Sequence, residues 1–537
     1  MIQRVSFGLL ASLVQTIYAQ SNFTVTSTAP ASAGSPLPAF ISYSIEFAFF
    51  PNFAGNKSNP NTFSYNLLNN LGNFQGSKPY IRVGGNTQDY ALYNASLPYA
   101  VNGTINPAKS VDYPTTVYIG PSYFESYSTW PGVKYSHGFN LGLGGNNSAG
   151  WKTLLDTIPL ACKALEGGKL LMWEYGNEPD LFSTSAQGPV RPSTWNEATY
   201  VSQWLNGSRT IKAGVASACP DLASYGFMAP SFAGVNNHLK PITAWNDGLD
   251  VDKDIELFSS HNYIGGATQP GVTLQGTLMN HNQTVASVGA QVNVANALNS
   301  SGVPFILGET NSLYNEGAPG LSNAYGAALW NIDFALYCAS KNIHRVHFHT
   351  GLSFRYGAWQ PETTSAAPKG TKAPYYGNLA TAAFLSNLSA PNTHTTISNI
   401  PLSSQFESAY AAYVNSTLKR IMIINMHQYN YTVNGTSSVR NPVARPVRNF
   451  TITIPSSATS QHSYALPSVA TLRALHANGS DAITGITYDG YSYNYELNNG
   501  LPVRLTNVTV GKTVSVTGGK LVVPVEDTGA VMVDFGA

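Results

Sequence analysis

"LLMWEYGNEPDLF", Leu170 to Phe182, passes from an apolar run straight into Asn177, Glu178 and Pro179, with Glu174 and Asp180 close by. An apolar run this short, ended by polar residues and a proline, has the length of a buried strand rather than a helix. Strand alternation puts Glu174 and Glu178 on one face. Glu174 sits deeper and reads as a hydrogen-bonded core carboxylate, while Asp180 reads as the start of a loop or a helix cap. Pro179 pushes the residue before it towards extended backbone, so the stretch predicts an extended Glu178 held stiffly at a strand end.

Seven further runs share this texture: "FISYSIEFAF" (40–49), "PYIRVGG" (79–85), "HGFNLGLGG" (137–145), "YGFMAPSFAG" (225–234), "IELFSSHNYIG" (255–265), "PFILGETN" (304–311) and "RVHFHTGLS" (345–353). Segments with helical spacing lie between them, including 151–166, 196–218, 285–300 and 322–341. Strands alternating with helices predict an α/β chain, a (β/α)8 TIM barrel over 40–373. Six of the eight runs, this one included, finish in polar or small residues, among them Glu46, Asn86, His261, Glu309 and His349. In such barrels the C-terminal rim carries the active site, so one explanation covers several polar clusters.

Beyond 374 the texture changes to short β-rich runs with turns between them, which predicts an antiparallel β-sandwich domain over 374–537. The segment 20–39 contains "NFTVTSTAP", a strand-like stretch that is a candidate to join that sandwich. Arg4 followed by "FGLLASLVQTIYA" and then abruptly polar residues reads as a signal peptide over 1–19, too short to span a bilayer.

Charged residues make up 10% of the chain, against about 25% in a typical soluble domain. With a net charge of +1, nothing suggests electrostatic capture of nucleic acid or of a membrane. Aromatics reach 12% and about fifteen Asn-x-Ser/Thr sequons are present, including Asn22, Asn56, Asn94, Asn206 and Asn415. This composition suits a secreted, extracellular glycoprotein carrying N-linked glycans. The three cysteines fit no zinc or redox spacing; the favoured arrangement is a Cys162–Cys219 bridge with Cys338 buried in a helix. His347 and His349 alternate on the last run without a third ligand at useful spacing, so they read as a barrel-lining pair and not as a metal site.

Hydrolysis of a glycosidic bond needs two carboxyl groups facing each other across the anomeric carbon. Glu178 closes the fourth run and Glu309 the seventh, where Gly308 allows close approach beneath it. The fourth and seventh strands of an eight-stranded barrel lie nearly opposite, so these two acids can meet across a bound sugar. Asn177 is placed to donate to a sugar hydroxyl.

"WEYGNEPD" (173–180) with "FILGETNSLYNEGAPGLSNAY" (305–325) resembles glycoside hydrolase family 79, the β-glucuronidase and heparanase-like enzymes. "IRVGGNTQDY" (81–90), "SHNYIGG" (260–266), "HTGLSFRYGAWQP" (349–361) and the closing β-rich region extend the resemblance over nearly the whole chain. Asn-Glu-Pro is shared with many clan relatives; Gly308 to Pro319 is the more discriminating part. The resemblance implies Glu178 as acid/base, Glu309 as nucleophile of a retaining double displacement, and no cofactor or metal. It further implies that a uronate carboxylate is held by Tyr314, by backbone amides of the loop reaching Gly317, and by a hydroxyl after the eighth strand. Tyr356 is the candidate for that hydroxyl, with Arg355 its rival. Asn86, Gln88 and Asp89 are expected to line the sugar hydroxyls, and His261 and Tyr263 to orient Glu309.

Asn315 and Glu316 stand where relatives often carry glycines, so Glu316 must point away from a uronate or the specificity differs. The implied activity is exo-β-glucuronidase, releasing terminal β-linked glucuronic acid or 4-O-methyl-glucuronic acid from a glucuronic-acid-containing oligo- or polysaccharide. The alternatives are an endo-β-glucuronidase, which would favour a cleft rich in Lys and Arg that the rim loops do not offer, and a clan relative acting on a neutral sugar. A non-catalytic glycan-binding protein on the same scaffold would be expected to lack one acid; both are present.

Overall fold

Eight parallel strands close on themselves as β1 (Ile41–Glu46), β2 (Ile81–Gly84), β3 (Tyr135–Phe139), β4 (Leu170–Tyr175), β5 (Phe227–Phe232), β6 (Ile255–Gly266), β7 (Phe305–Tyr314) and β8 (Val346–Thr350). The computed structural model describes residues 20–185, 188–433, 437–438, 444–455 and 467–536. The expected signal peptide, 1–19, lies outside the described residues. No helix among the described residues is long and apolar enough to cross a membrane.

β1 is buried along its whole length because both of its faces are covered, as parallel strands require. Its apolar side chains, Ile41, Tyr43 and Ile45, alternate with Ser42, Ser44 and Glu46, and Ser44 reaches His349 of β8 at 2.8 Å. The third run departs from expectation. Its strand begins at Tyr135 and ends at Phe139, and the glycine-rich continuation folds into a turn. Asn140 Oδ1 accepts the N–H groups of Leu143 and Gly144 there, while the Asp89 carboxylate takes those of Leu141 and Gly142, so these donors are lost to any strand ladder.

The helices packed around the barrel include α1 (Thr62–Gln75), α2 (Ser148–Leu165), α3 (Glu197–Ala218), α4 (His281–Leu298), α5 (Tyr325–Ser340) and α6 (Ala373–Leu385). Asparagine side chains cap several: Asn61 accepts from Ser64 N–H, Asn147 from Gly150 N–H and Asn196 from Thr199 N–H. A disulfide joins Cys162 of α2 to Cys219 at the end of α3, and Cys338 is buried and free on α5. The barrel was expected to end at residue 373, but α6 begins there and packs on α1 and α5 as the last helix of the ring. Pro374 lies in its first turn, where a missing N–H costs nothing, so it starts this helix instead of breaking the chain's regularity.

The C-terminal region forms an antiparallel sheet that includes Thr395–Ile400, Glu407–Val414, Thr417–Asn425, Gly529–Asp534 and Val469–His476. A smaller sheet of Gln20–Thr24, Val447–Thr453 and Lys520–Glu526 faces it across Phe23, Ile423, Phe450, Val523 and Val533. Gln20–Thr24 pairs in parallel with Val447–Thr453, so the beginning of the described chain lies in the sandwich. Every residue of α5 and α6 is buried, because these two helices lie between barrel and sandwich. At this seam His281 Nδ1 stands 2.9 Å from Asp333, and Asp333 also accepts the Tyr410 hydroxyl at 2.7 Å.

Candidate active site

Arg82 organises the rim from below. It is a cation inside an apolar strand, fully buried on β2, where only carboxylates and hydrogen bonds can compensate its desolvation. Its Nε donates to Glu174 at 2.7 Å, Nη1 to Glu309 at 2.6 Å and to Ser44 Oγ at 3.0 Å, and Nη2 to Asn177 Oδ1 at 2.8 Å. The expected core role of Glu174 agrees with this geometry: the Ser231 hydroxyl donates to its second oxygen at 2.6 Å. The sequence reading missed Arg82. The available signal was one arginine in "YIRVGG" of a chain poor in charge.

Glu309 owes its aim to an irregularity. β6 and β7 pair Ser260 with Leu307 and then His261 with Glu309, which leaves Gly308 as an extra residue. A Cβ on Gly308 would stand 2.2 Å from Ser259 Oγ and 2.7 Å from Met228 Cε, so any larger residue must displace both, and the bulge turns Glu309 into the site. Tyr263 donates to Glu309 Oε1 at 2.7 Å, Arg82 holds Oε2, and His349 Nδ1 lies 3.5 Å from Oε2. Burial opposes ionisation of Glu309, yet His349, His261, Arg82 and the Tyr263 hydroxyl together bring it down to about 2. His261 is itself pushed down to about 4 by burial and is neutral above that, so the lasting stabilisation comes from Arg82, Tyr263 and the raised His349.

Glu178 is not extended. It adopts φ 51°, ψ 47°, the left-handed region, against both chirality and the preference of a residue before proline. Such a conformation costs on the order of 1–3 kcal/mol. Its N–H donates to Ser231 O at 2.9 Å and its carbonyl accepts Leu181 N–H at 2.9 Å, which hold the turn and direct the carboxyl over the barrel. Burial, and then the negative charge of Glu309, push Glu178 up to about 8. His261 was expected to orient Glu309; its Nδ1 instead lies 2.9 Å from Glu178 and 4.0 Å from Glu309. His261 thus reaches Glu178 although its own strand pairs it with Glu309.

Of the residues expected to line the sugar hydroxyls, Asn86 is partly exposed, accepts Asn177 Nδ2 at 3.2 Å and donates to the Tyr113 hydroxyl at 3.0 Å. Gln88 and Asp89 do not line it. Gln88 is buried and donates to Phe139 O, and Asp89 accepts the N–H groups of Leu141, Gly142 and Asn177. Their 3-10 turn folds them under the rim, where they brace β3 and β4. Glu178, His261 and Glu309 offer donor atoms within 4.8 Å of one another, a spacing a metal ion accepts. Arg82 already sets a fixed positive charge against Glu309, which opposes a second cation and favours proton chemistry.

The loop after β7 turns through three left-handed residues, Asn315 (φ 60°), Glu316 (φ 58°) and Gly317 (φ 80°). All three carbonyls face Arg355: its Nη2 donates to Asn315 O at 3.3 Å, its backbone N–H to Glu316 O at 2.8 Å and its Nε to Gly317 O at 2.9 Å. Among the described residues the N–H groups of Asn315 and Glu316 have no partner. Arg355 also grips Asp112 with two nitrogens, so it is a loop anchor and not a rival ligand. Glu316 lies beside this pair, and burial followed by Asp112 pushes its carboxyl up to about 8. Tyr314 is half exposed with its ring over Gly266, while Tyr356 is buried in an aromatic cluster with Tyr113 and Phe354, its ring 6.1 Å from Tyr263.

Comparison with known proteins agrees with this architecture. The glycosyl hydrolase family 79 C-terminal β domain matches residues 409–532. A β-glucuronidase of Neurospora crassa is 56% identical over 98% of this chain and 99% of its own length. One of Aspergillus niger is 55% identical over 92% of this chain and 90% of its own. Among solved structures, a 4-O-α-L-rhamnosyl-β-D-glucuronidase of Fusarium oxysporum has the same fold, with a TM-score of 0.74 at 23% identity over 96% of this chain and 100% of that one. At more than half identity across nearly the full length, this chain belongs to glycoside hydrolase family 79.

Proposed function

We propose that the chain is an exo-acting β-glucuronidase that removes terminal β-linked glucuronic acid, or its 4-O-methyl ether, with retention of configuration. One observation carries the mechanism: Glu178 and Glu309 each bring a carboxyl oxygen within 4.8 Å of the other, with the first held protonated and the second ionised. That close approach is compatible with the roughly 5–5.5 Å carboxyl separation of retaining enzymes. Glu309 attacks the anomeric carbon, the glycosidic C–O bond breaks, and the departing oxygen takes the proton of Glu178. Glu178, now a carboxylate, removes a proton from water as that water attacks the same carbon and frees Glu309. Arg82 and Tyr263 keep Glu309 ionised and oriented for both steps.

The names of the two fungal relatives support glucuronide as substrate. The free N–H groups of Asn315 and Glu316, with the hydroxyls of Tyr314 and Tyr356, are the uronate ligands in this reading. An endo-acting enzyme on acidic polymer would want unpaired cations at the rim, and Arg355 is engaged by Asp112 and backbone carbonyls. Export and N-glycosylation complete the reading; the exposed sequon asparagines Asn22, Asn94, Asn206 and Asn415 support them. The test is turnover of nitrophenyl β-glucuronide against the β-xyloside and β-glucoside, with proton NMR of the first product. Selective glucuronide cleavage releasing β-glucuronic acid is expected; equal or greater xyloside turnover, or an α product, would sink the reading. Release of only monomeric glucuronic acid from a branched oligosaccharide decides for end trimming.

A further inference from the structure

A groove of about 990 Å³ opens where the loops after β1, β2 and β8 meet, behind the aromatic cluster that walls the two acids. It is larger than one sugar ring needs, at the upper end of ligand sites of ~300–1,000 Å³. Its lining mixes apolar residues and prolines with Asn52, Asn59 and Thr62 and with the charged Glu125, Glu362 and Lys369. Tyr99, at its lip, is 66% exposed although it is a large aromatic residue. An uncovered aromatic ring in a groove with polar side chains is chemistry that holds saccharides: C–H faces lie on the ring and hydroxyls pair with the polar groups.

The groove contains Asn56 of the sequon Asn56-Lys57-Ser58. Asn56 is exposed, and its Oδ1 is saturated, accepting Ser58 Oγ at 2.8 Å, Asn59 N–H at 2.8 Å and Ser58 N–H at 3.1 Å. Its Nδ2 has no partner among the described residues. The second sequon nearby, Asn102-Gly103-Thr104, is differently placed: Val101 and Gly103 line the groove, and strand alternation turns Asn102 to the opposite face.

We infer that this groove is the seat of an N-linked glycan attached at Asn56. The attachment joins Asn56 Nδ2 to C1 of an oligosaccharide carried on a polyisoprenyl diphosphate; the C1–O bond to phosphate breaks, the diphosphate leaves with the bonding pair, and Nδ2 loses one proton. The seated sugar covers Tyr99 and ties the β1 loop to the β2 insertion. This rests on the reading that the chain is exported.

The experiment uses the full chain secreted from a glycosylating eukaryotic host, with site-by-site peptide mass spectrometry after timed endoglycosidase treatment. Asn206, exposed on α3, is the reference site. Both sites should be modified, and the Asn56 glycan should leave the native protein at least about tenfold more slowly than that of Asn206, as protection by a folded seat implies. Denaturation should abolish the difference, and Tyr99→Ala should reduce it in the native protein. An unmodified Asn56 beside a modified Asn206 overturns this inference alone, as does equal release from the two native sites. Absence of sugar at every sequon overturns the export reading together with it.

Discussion

Two histidine–carboxylate pairs stand at the same separation in this chain: His261 with Glu178 at the rim and His281 with Asp333 at the seam, each 2.9 Å. Their charges are opposite in kind. At the rim burial and the neighbouring Glu309 push Glu178 up to about 8 while burial pushes His261 down to about 4, so the pair holds one proton and no net charge. At the seam burial works against both charges, but mutual attraction raises His281 and lowers Asp333, and Tyr410 adds a hydrogen bond to the carboxylate. Contact distance therefore does not decide ionisation; burial leads at the rim, and a third charge adds to it for Glu178. Glu309 supplies that third charge at the rim.

Removing the third charge should break the contrast most severely. Glu309→Gln is expected to lower glucuronide turnover by on the order of 10⁴-fold or more. It should also lower the titration of Glu178 from about 8 while burial keeps it above the ordinary carboxylate value, readable by NMR of labelled carboxyls; an unchanged titration would refute the coupling. Glu178→Gln should cost about 10²–10⁴-fold. The wild-type kcat/KM should fall as pH rises past about 8, where Glu178 loses its proton, and this alkaline limb should be absent from the variant.

At the seam, Asp333→Asn leaves His281 beside a neutral partner and should destabilise by about 3–5 kcal/mol in chemical denaturation near pH 5.5. The pH window follows from the two shifts. His281 is raised, so its contribution is complete below the ordinary value near 6.5 and is lost as pH climbs through the raised one. Asp333 is lowered, so its contribution is complete above about 3.9 and is lost as pH falls through the lowered one. A difference between wild type and variant that grows above pH 7 would contradict an ion pair. The smallest effect concerns aim: Tyr263→Phe removes one hydrogen bond to ionised Glu309, about 1.5–3 kcal/mol, and should slow kcat roughly 10- to 100-fold with little change in stability.

The barrel was legible because its strands are buried on both faces and end at polar rims, which gives runs a reader can count. The two opposed acids followed from that count. Glu178's left-handed backbone did not, since the carbonyl that captures its N–H belongs to Ser231, 53 residues away in the chain. Nor did the partner of His261, whose Nδ1 reaches Glu178 although its strand register sets it beside Glu309. Gln88 and Asp89 are polar and adjacent to Asn86, and only the fold tells which of the three faces the sugar. Arg82 was visible as a residue but silent as a role until Glu174, Asn177 and Glu309 converged on it.

The complete burial of α5 and α6 bears on how the protein can be divided. One continuous apolar core runs from barrel residues such as Phe334 and Phe384 to Tyr410, Met422 and Met532 of the sandwich. A fragment cut after α6 would leave two helices that are apolar all round with one side in water, a surface that invites aggregation. The sandwich thus supplies the outer cover of the barrel's last two helices, and dividing the chain there uncovers both.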